Sequence, residues 1–491
     1  MFHFRGQIGG QVDASTDAPG GGAKRASAER RLHLLALPLA LLGLGVGVLL
    51  VMFDPVMIAR GGPSGSLART HSQPLVEPMP LEVPFSPEEI AIVRSLGPLP
   101  ALRQDPTNHV SLTPRAAWLG QTLFFEPRLS GSGKFSCASC HDPVRWFADS
   151  FPVAEAAGRG TRNTPTMLNA AHNRWFGWGG RSDSMWQQAL QPIEASEEMA
   201  GDRVSVVRLL VSDAMLRAAY ENVFGKIPPI QNTRRSGFSL PAAARPVPEY
   251  PQDPLHVAWM DMTESSRNTV NRVYANVGKA LAAYAELLDD GGAAFDRFVR
   301  GLTEDGSASM SPLSASELRG LKLFIGSAGC IRCHSGPTFS DQEFHNIGVP
   351  PLGGGLPRDP GRYDGIARLK ADIFNSSGMY SDGPESERGL ITDALVNSPE
   401  NWGRFKTPSL RGVARTPPYM HAGQFNTLEQ VVMYYSTLEG AVQLDHHAET
   451  VLSPLDLSED EIRDLVAFLA SLHGVGPPEE LMKKPTRQFG S

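Results

Sequence analysis

The chain has 491 residues, 41% of them hydrophobic and 20% charged, with a net charge of −7. That length is too great for one ordinary core, so two domains plus tails are expected, and the composition excludes a disordered chain. The acidic balance gives no basis for nucleic-acid binding.

In chain order, residues 1–31 read as a cytoplasmic tail that ends in Lys24, Arg25, Arg30 and Arg31. Leu32 to Phe53 is nearly all apolar and long enough to cross a hydrocarbon core of about 30 Å. The basic residues before it predict that everything after it is exported. A cleaved signal peptide is the alternative. The run is longer than a typical signal core and no clean cleavage site follows, which favours an uncleaved inner-membrane anchor. Residues 54–85, rich in Pro, Gly and Ser, read as a linker.

A first module, residues 86–305, opens with Ser86 as an N-cap and Glu88 and Glu89 in the first turn. It contains helix-like stretches, "RVSVVRLLVSDAMLRAAYENVFG" and "RNTVNRVYANVGKALAAYAELL". Between them Lys226 to Val257 reads as an exposed loop. A second module, residues 306–480, opens with the amphipathic "SASELRGLKLFIGSAGCIRCH". It continues through a Gly/Pro-rich stretch, Pro350 to Asn401, expected to be irregular. It closes on a helical stripe of Ile462, Leu465, Val466, Phe468 and Leu469. Strand signals are sparse.

All four cysteines fall in two motifs, "CASCH" (Cys137, Cys140, His141) and "CIRCH" (Cys330, Cys333, His334). Cys-x-x-Cys-His is the attachment signature of c-type haem. On a helical turn, residues i and i+3 share a face, so both thiols reach the vinyl groups while the next histidine meets the iron. Two disulfides, or one zinc site made of four cysteines, would leave both histidines unexplained. The fold class expected is therefore mainly α: two tandem cytochrome-c-like haem domains behind an N-terminal transmembrane anchor.

Several phrases taken together, "LGQTLFFEPRLSGSGKFSCASCH", "RNTPTMLNAAHN", "QQALQPIEASEEM", "FHNIGV" and "FKTPSLRGVARTPPYMHAGQFNTLEQVV", resemble the bacterial dihaem cytochrome c peroxidase family, which includes the methylamine-utilisation protein MauG. The resemblance runs from about residue 86 to residue 475. It implies a periplasmic enzyme with a peroxidatic haem on His141, an electron-transfer haem on His334, and a calcium ion between them. It makes Glu198 the distal carboxylate that moves peroxide protons, with Gln188 a second distal polar residue. Read alone, Glu198 is one of a solvated acidic cluster with Glu194 and Glu197. Trp178 matches the tryptophan between the haems, although Gly179 stands where the family commonly has Asp. Asn163, Thr416 and Pro418 match the calcium ligands, and hard oxygens suit that ion.

Two departures from the pattern bear on mechanism. The family's standard peroxidases carry a histidine about sixteen residues past the first motif, and it blocks the resting iron. The segment "DPVRWFADSFPVAEAAGRGTRN" has none, and His172 lies beyond the aligned position, which implies an open site. The standard second ligand of the other haem is a Met, where this chain has Tyr435. Met433 is the runner-up and Met420 the third choice. Thioether ligation raises a haem potential, and a phenolate should lower it. The resemblance thus implies peroxide reduction with electrons from a cytochrome c or another small redox protein. Oxidation of residues on a partner protein, as by MauG, and membrane-tethered electron transfer are the alternatives.

Overall fold

The computed structural model describes residues 83–230, 240–302, 311–442 and 452–486. All of them belong to one compact unit, Ser72–Ser491. The tail, the apolar run 32–53 and nearly all of the linker lie outside the described residues. Among the described residues no helix is long and apolar enough to cross a membrane.

The described chain is mainly helical, as expected. In order come α1 (Pro87–Ser95), α2 (Pro114–Phe124), α3 (Met185–Glu194), α4 (Arg203–Ser212), α5 (Ala214–Phe224), α6 (Pro254–Asp261), α7 (Glu264–Ala285), α8 (Ala294–Gly301), α9 (Ala315–Ile325), α10 (Arg362–Ala371), α11 (Glu387–Ala394), α12 (Leu428–Thr437) and α13 (Glu459–Ala470). Two short strands, β1 (Phe344–His345) and β2 (Phe405–Lys406), pair antiparallel with Phe344 opposite Lys406. Helix starts follow local chemistry. Ser86 with Glu89, Ser314 with Glu317, Thr427 with Gln430 and Ser458 with Glu461 each form a reciprocal capping box that satisfies two orphan backbone donors.

Two large apolar cores result among the described residues, with two small clusters beside them. In the first, α7 is buried along most of its length, flanked by α2 and α3. It approaches α2 so closely that a Cβ on Gly120 would lie 1.9 Å from the Ala280 carbonyl oxygen. The second core is built on the α9–α13 crossing, where a Cβ on Gly320 would lie 1.9 Å from the Asp464 carbonyl oxygen. The cores exchange chain. Ile90, Val93 and Leu96, at the start of the expected first module, pack in the second core. Phe374, Tyr380 and Leu481 pack in the first.

Two sequence expectations need correction. The stretch Pro350 to Asn401 is not irregular throughout: α10 and α11 lie within it. Ile366 and Leu369, one turn apart, are buried and give α10 its inner face, and Ser386 caps α11 by accepting from Gly389 N. Nor is Lys226 to Val257 wholly an exposed loop, because Ala244 and Val247 are buried and α6 begins at Pro254.

Candidate functional site

Both Cys-x-x-Cys-His motifs fold as a 3-10 turn, Cys137–Ser139 and Cys330–Arg332. In each, the histidine amide closes back on the first cysteine carbonyl at 2.9 Å. His141 Nδ1 lies 3.0 Å from the Phe147 carbonyl and His334 Nδ1 lies 2.8 Å from the Phe339 carbonyl. A carbonyl only accepts, so Nδ1 carries the proton and Nε2 is left with its lone pair, as an iron ligand requires. Phe147 and Phe339 are both fully buried and both left-handed, with φ of 54° and 53°. That turn aims the carbonyl at the imidazole. Burial lowers both histidines toward the neutral form.

The four thiols are unpaired. Burial pushes Cys137 and Cys330 up to about 12 and Cys140 to about 11, an environment for neutral sulfur such as a thioether and poor for zinc thiolate. The four do not converge. Among the described residues the one trio of metal-type donors is Cys333, Asp341 and His345. The donor set therefore fits two covalently attached haems c.

Near the first motif, the acidic cluster divides its tasks. Glu194 is committed to Arg203, at 2.6 and 2.9 Å. Glu197 is exposed. Glu198 meets Arg181 Nη2 at 3.3 Å, and its charge acts on Cys137, Cys140 and His141. The hairpin at 154–160 packs against its backbone, with Ala157 N donating to the Glu198 carbonyl at 3.0 Å. This hairpin belongs to the segment that lacks a histidine. The charges acting on His172 are those of Arg411 and Asp289, and His109, His256, His345 and His473 are hydrogen-bonded elsewhere. Gln188 Oε1 accepts from Ser182 Oγ at 3.1 Å, near Arg181 and Gly177.

Trp178 links distant parts of the chain. Its indole Nε1 donates to the Asn163 carbonyl at 2.9 Å, and its own carbonyl accepts from Lys406 N, in β2, at 2.8 Å. Asn163 N donates to the His421 carbonyl at 2.8 Å, which brings Asn163 to the segment holding Thr416 and Pro418. Gly179 has a steric reason. A Cβ there would lie 2.5 Å from the Gly361 carbonyl oxygen, and one on Gly365 would lie 1.9 Å from the Gly179 oxygen. The Asp common in the family has no room at this crossing.

Near the second motif, Tyr435 stands in α12, where burial, followed by the Cys330 and Cys333 thiols, raises its hydroxyl. Met433 lies on the other side of the helix, 46% exposed. Met420 sits in a left-handed turn. Sequence reasoning missed Arg181, Lys406 and the two phenylalanine carbonyls. The signal for the last was present, a Phe six residues after His141 and five after His334.

Two haem-attachment turns with backbone-oriented histidines define a dihaem c-type cytochrome. Residues 114–304 match the family described as di-haem cytochrome c peroxidase. The chain is 33% identical over 381 residues to the cytochrome-c peroxidase IdrP2 of Denitromonas iodatirespirans, covering 76% of this chain and 86% of that one. It is 33% identical over 365 residues to the methylamine utilization protein MauG of Methylorubrum extorquens, covering 74% and 79%. It is also 29% identical to the cytochrome c551 peroxidase of Pseudomonas aeruginosa, covering 74% and 80%. The diheme peroxidase BthA of Burkholderia thailandensis shares the fold, with a TM-score of 0.53 at 22% identity over 79% of this chain and 92% of that one. The chain belongs to the di-haem cytochrome c peroxidase family. It is a peroxidase-class oxidoreductase that carries two haems c.

Proposed function

We propose that this protein reduces hydrogen peroxide to water, with His141 on the peroxidatic side and His334 on the electron-transfer side. A small c-type cytochrome or similar redox protein supplies the electrons. Residues 86–305 and 306–480 are proposed as the two haem modules. The reaction takes two electrons and two protons per peroxide and yields two waters. Haem iron, when bound, supplies the redox centre at which the O–O bond is cleaved. Glu198 accepts a proton from the peroxide and returns it to the departing oxygen, while Arg181 holds that carboxylate in position and Gln188 offers a second polar contact. Trp178 lies on the route from the electron-transfer side. The observation that carries this reading is Glu198, paired with Arg181 at 3.3 Å and packed by its backbone against the 154–160 hairpin, a segment without a histidine.

Asn163, Thr416 and Pro418 are proposed calcium ligands. Asn163 Nδ2 donates to the Phe151 carbonyl at 3.0 Å, which leaves Oδ1 as the hard donor. Export to the bacterial periplasm and tethering in the inner membrane are proposed from the apolar run 32–53 and the basic residues before it. A second reading, oxidation of a partner protein in the manner of MauG, is favoured by Tyr435 beside the second motif.

The test is steady-state peroxide turnover with reduced cytochrome c, combined with low-temperature EPR of the diferric protein. A high-spin signal that peroxide removes before any reductant is added supports the reading. Two low-spin haems indifferent to peroxide overturn it.

A further inference from the structure

A cavity of about 260 Å³ opens beside the loop that follows Trp178, and nothing in the peroxidase reading uses it. Three guanidiniums line it, those of Arg174, Arg362 and Arg404, against one carboxylate, Glu343. The rest of its lining is largely apolar, with Trp175, Phe344 and Leu395 among the residues that face it.

Two of the guanidiniums are poorly matched by protein. Arg362 is only 4% exposed. Its Nη1 donates to the carbonyls of Gly180 and Gly179, at 2.8 and 3.4 Å, and it makes no ion pair among the described residues. Instead its guanidinium carbon lies 3.9 Å from the centre of the Phe344 ring and 4.5 Å from that of Trp175. Burial drags it down to about 10, against the pull of Glu343. Arg404 Nε is buried with no hydrogen-bond partner. Its backbone is tied to the same place, because Arg362 N donates to the Arg404 carbonyl at 2.8 Å.

A buried cation is normally paired or neutralised, and an unpaired buried donor is costly. Arginine's planar fork suits a carboxylate in particular, and aromatic walls suit an apolar body. The cavity is slightly smaller than pockets for drug-sized ligands, which run from about 300 Å³ upward. We propose that this pocket binds a small organic carboxylate, its oxygens bridging Arg362 and Arg404 and its apolar part lying against Trp175 and Phe344. Arg174, exposed at the mouth, guides the anion in. The proposal does not require Trp178 to be an electron relay.

The test is calorimetric titration of the haem-loaded full chain with benzoate, with the haem absorption spectrum followed to detect binding at iron. One-to-one binding that leaves the spectrum unchanged is expected. Arg404→Gln should weaken it by about tenfold or more, the loss of one charge-assisted hydrogen bond, and Arg174→Gln should weaken it less. Arg362 fills the space beside Gly180 and its loss risks misfolding, so Arg404→Gln decides the matter, its fold checked by circular dichroism. No binding at millimolar benzoate, unchanged affinity in a folded Arg404→Gln, or benzyl alcohol or chloride binding as well as benzoate would each overturn the proposal.

Discussion

The indole nitrogen of Trp178 donates to the Asn163 carbonyl across 2.9 Å, while the carbonyl of the same residue is held by β2. One residue is thus fixed from two directions, its indole by the segment after the first haem motif and its backbone by the strand whose Lys406 acts on His334. Trp178→Phe removes the donor and keeps a ring. Turnover with reduced cytochrome c should fall, while the reaction of peroxide with diferric protein in a single mixing experiment keeps its rate. Loss of the hydrogen bond should cost about 0.5–1.5 kcal/mol of stability, read by chemical denaturation. Equal slowing of both rates would argue against a relay.

Glu198→Gln keeps the shape and removes the base. Its kcat should drop by about 10²–10⁴, the usual yield of general acid–base catalysis, with the haem absorption spectrum unchanged. Glu194→Gln should instead lower stability, because Glu194 pairs with the buried Arg203. An Glu194 variant that loses activity without losing stability would reverse the two assignments.

At the second motif, Tyr435→Met should raise the midpoint potential of the His334 haem, since thioether ligation favours the reduced state. Met433→Leu should leave it unchanged. Spectroelectrochemical titration of both variants separates the two candidates, and a shift in the Met433 variant alone would assign the ligand to it.

The α9–α13 crossing predicts a sharp intolerance at one position. Gly320→Ala puts a methyl 1.9 Å from the Asp464 carbonyl oxygen, so the helices must part. A loss of about 1–3 kcal/mol is expected from such overpacking, measured by urea titration of the holoprotein.

Arg162 and Asp359 form a two-pronged ion pair at 2.7 and 2.8 Å, beside Phe405. Burial opposes ionisation of Asp359, but Arg162 outweighs it and holds the carboxyl below its ordinary value. A group lowered in the folded state stabilises above its unfolded pKa and loses that stabilisation as pH falls through the folded one. The pair should therefore support the protein at neutral pH and fail below about pH 4, near the ordinary Asp value. Asp359→Asn should be less stable than the parent at pH 7, with a gap that narrows on acidification. A gap constant with pH would show that Asp359 acts through packing alone.

The haem turns were legible because their chemistry is local: five consecutive residues hold both thiols and the ligand. One helix start was legible for the same reason: Ser86 caps α1, as its place before Glu88 and Glu89 suggests. What escaped depends on distant segments meeting. Nothing near Arg181 in the sequence announces Glu198, which stands seventeen residues away. The short apolar pair Ile366 and Leu369 is too weak a pattern to reveal α10 within a Gly/Pro-rich stretch, until packing against Gly179 fixes it. Gly179 itself reads as a departure from the family and becomes intelligible only with Gly361 and Gly365 beside it. The burial of α1 in the second core likewise follows from tertiary packing, which no local signal in "PEEIAIVRS" specifies.

His141 and His334 are oriented by the same device, a main-chain oxygen of a buried phenylalanine. A backbone oxygen is neutral and does not change when side chains change, so neither histidine can be made a stronger or weaker donor by a simple substitution at its partner. The two haems thus begin alike on their histidine faces. On the proposed assignment, what would make one of them meet peroxide and the other hand on electrons is the difference between Glu198 near the first motif and Tyr435 near the second. Selection acting on this protein's chemistry has two small surfaces to work on, and they lie in different cores.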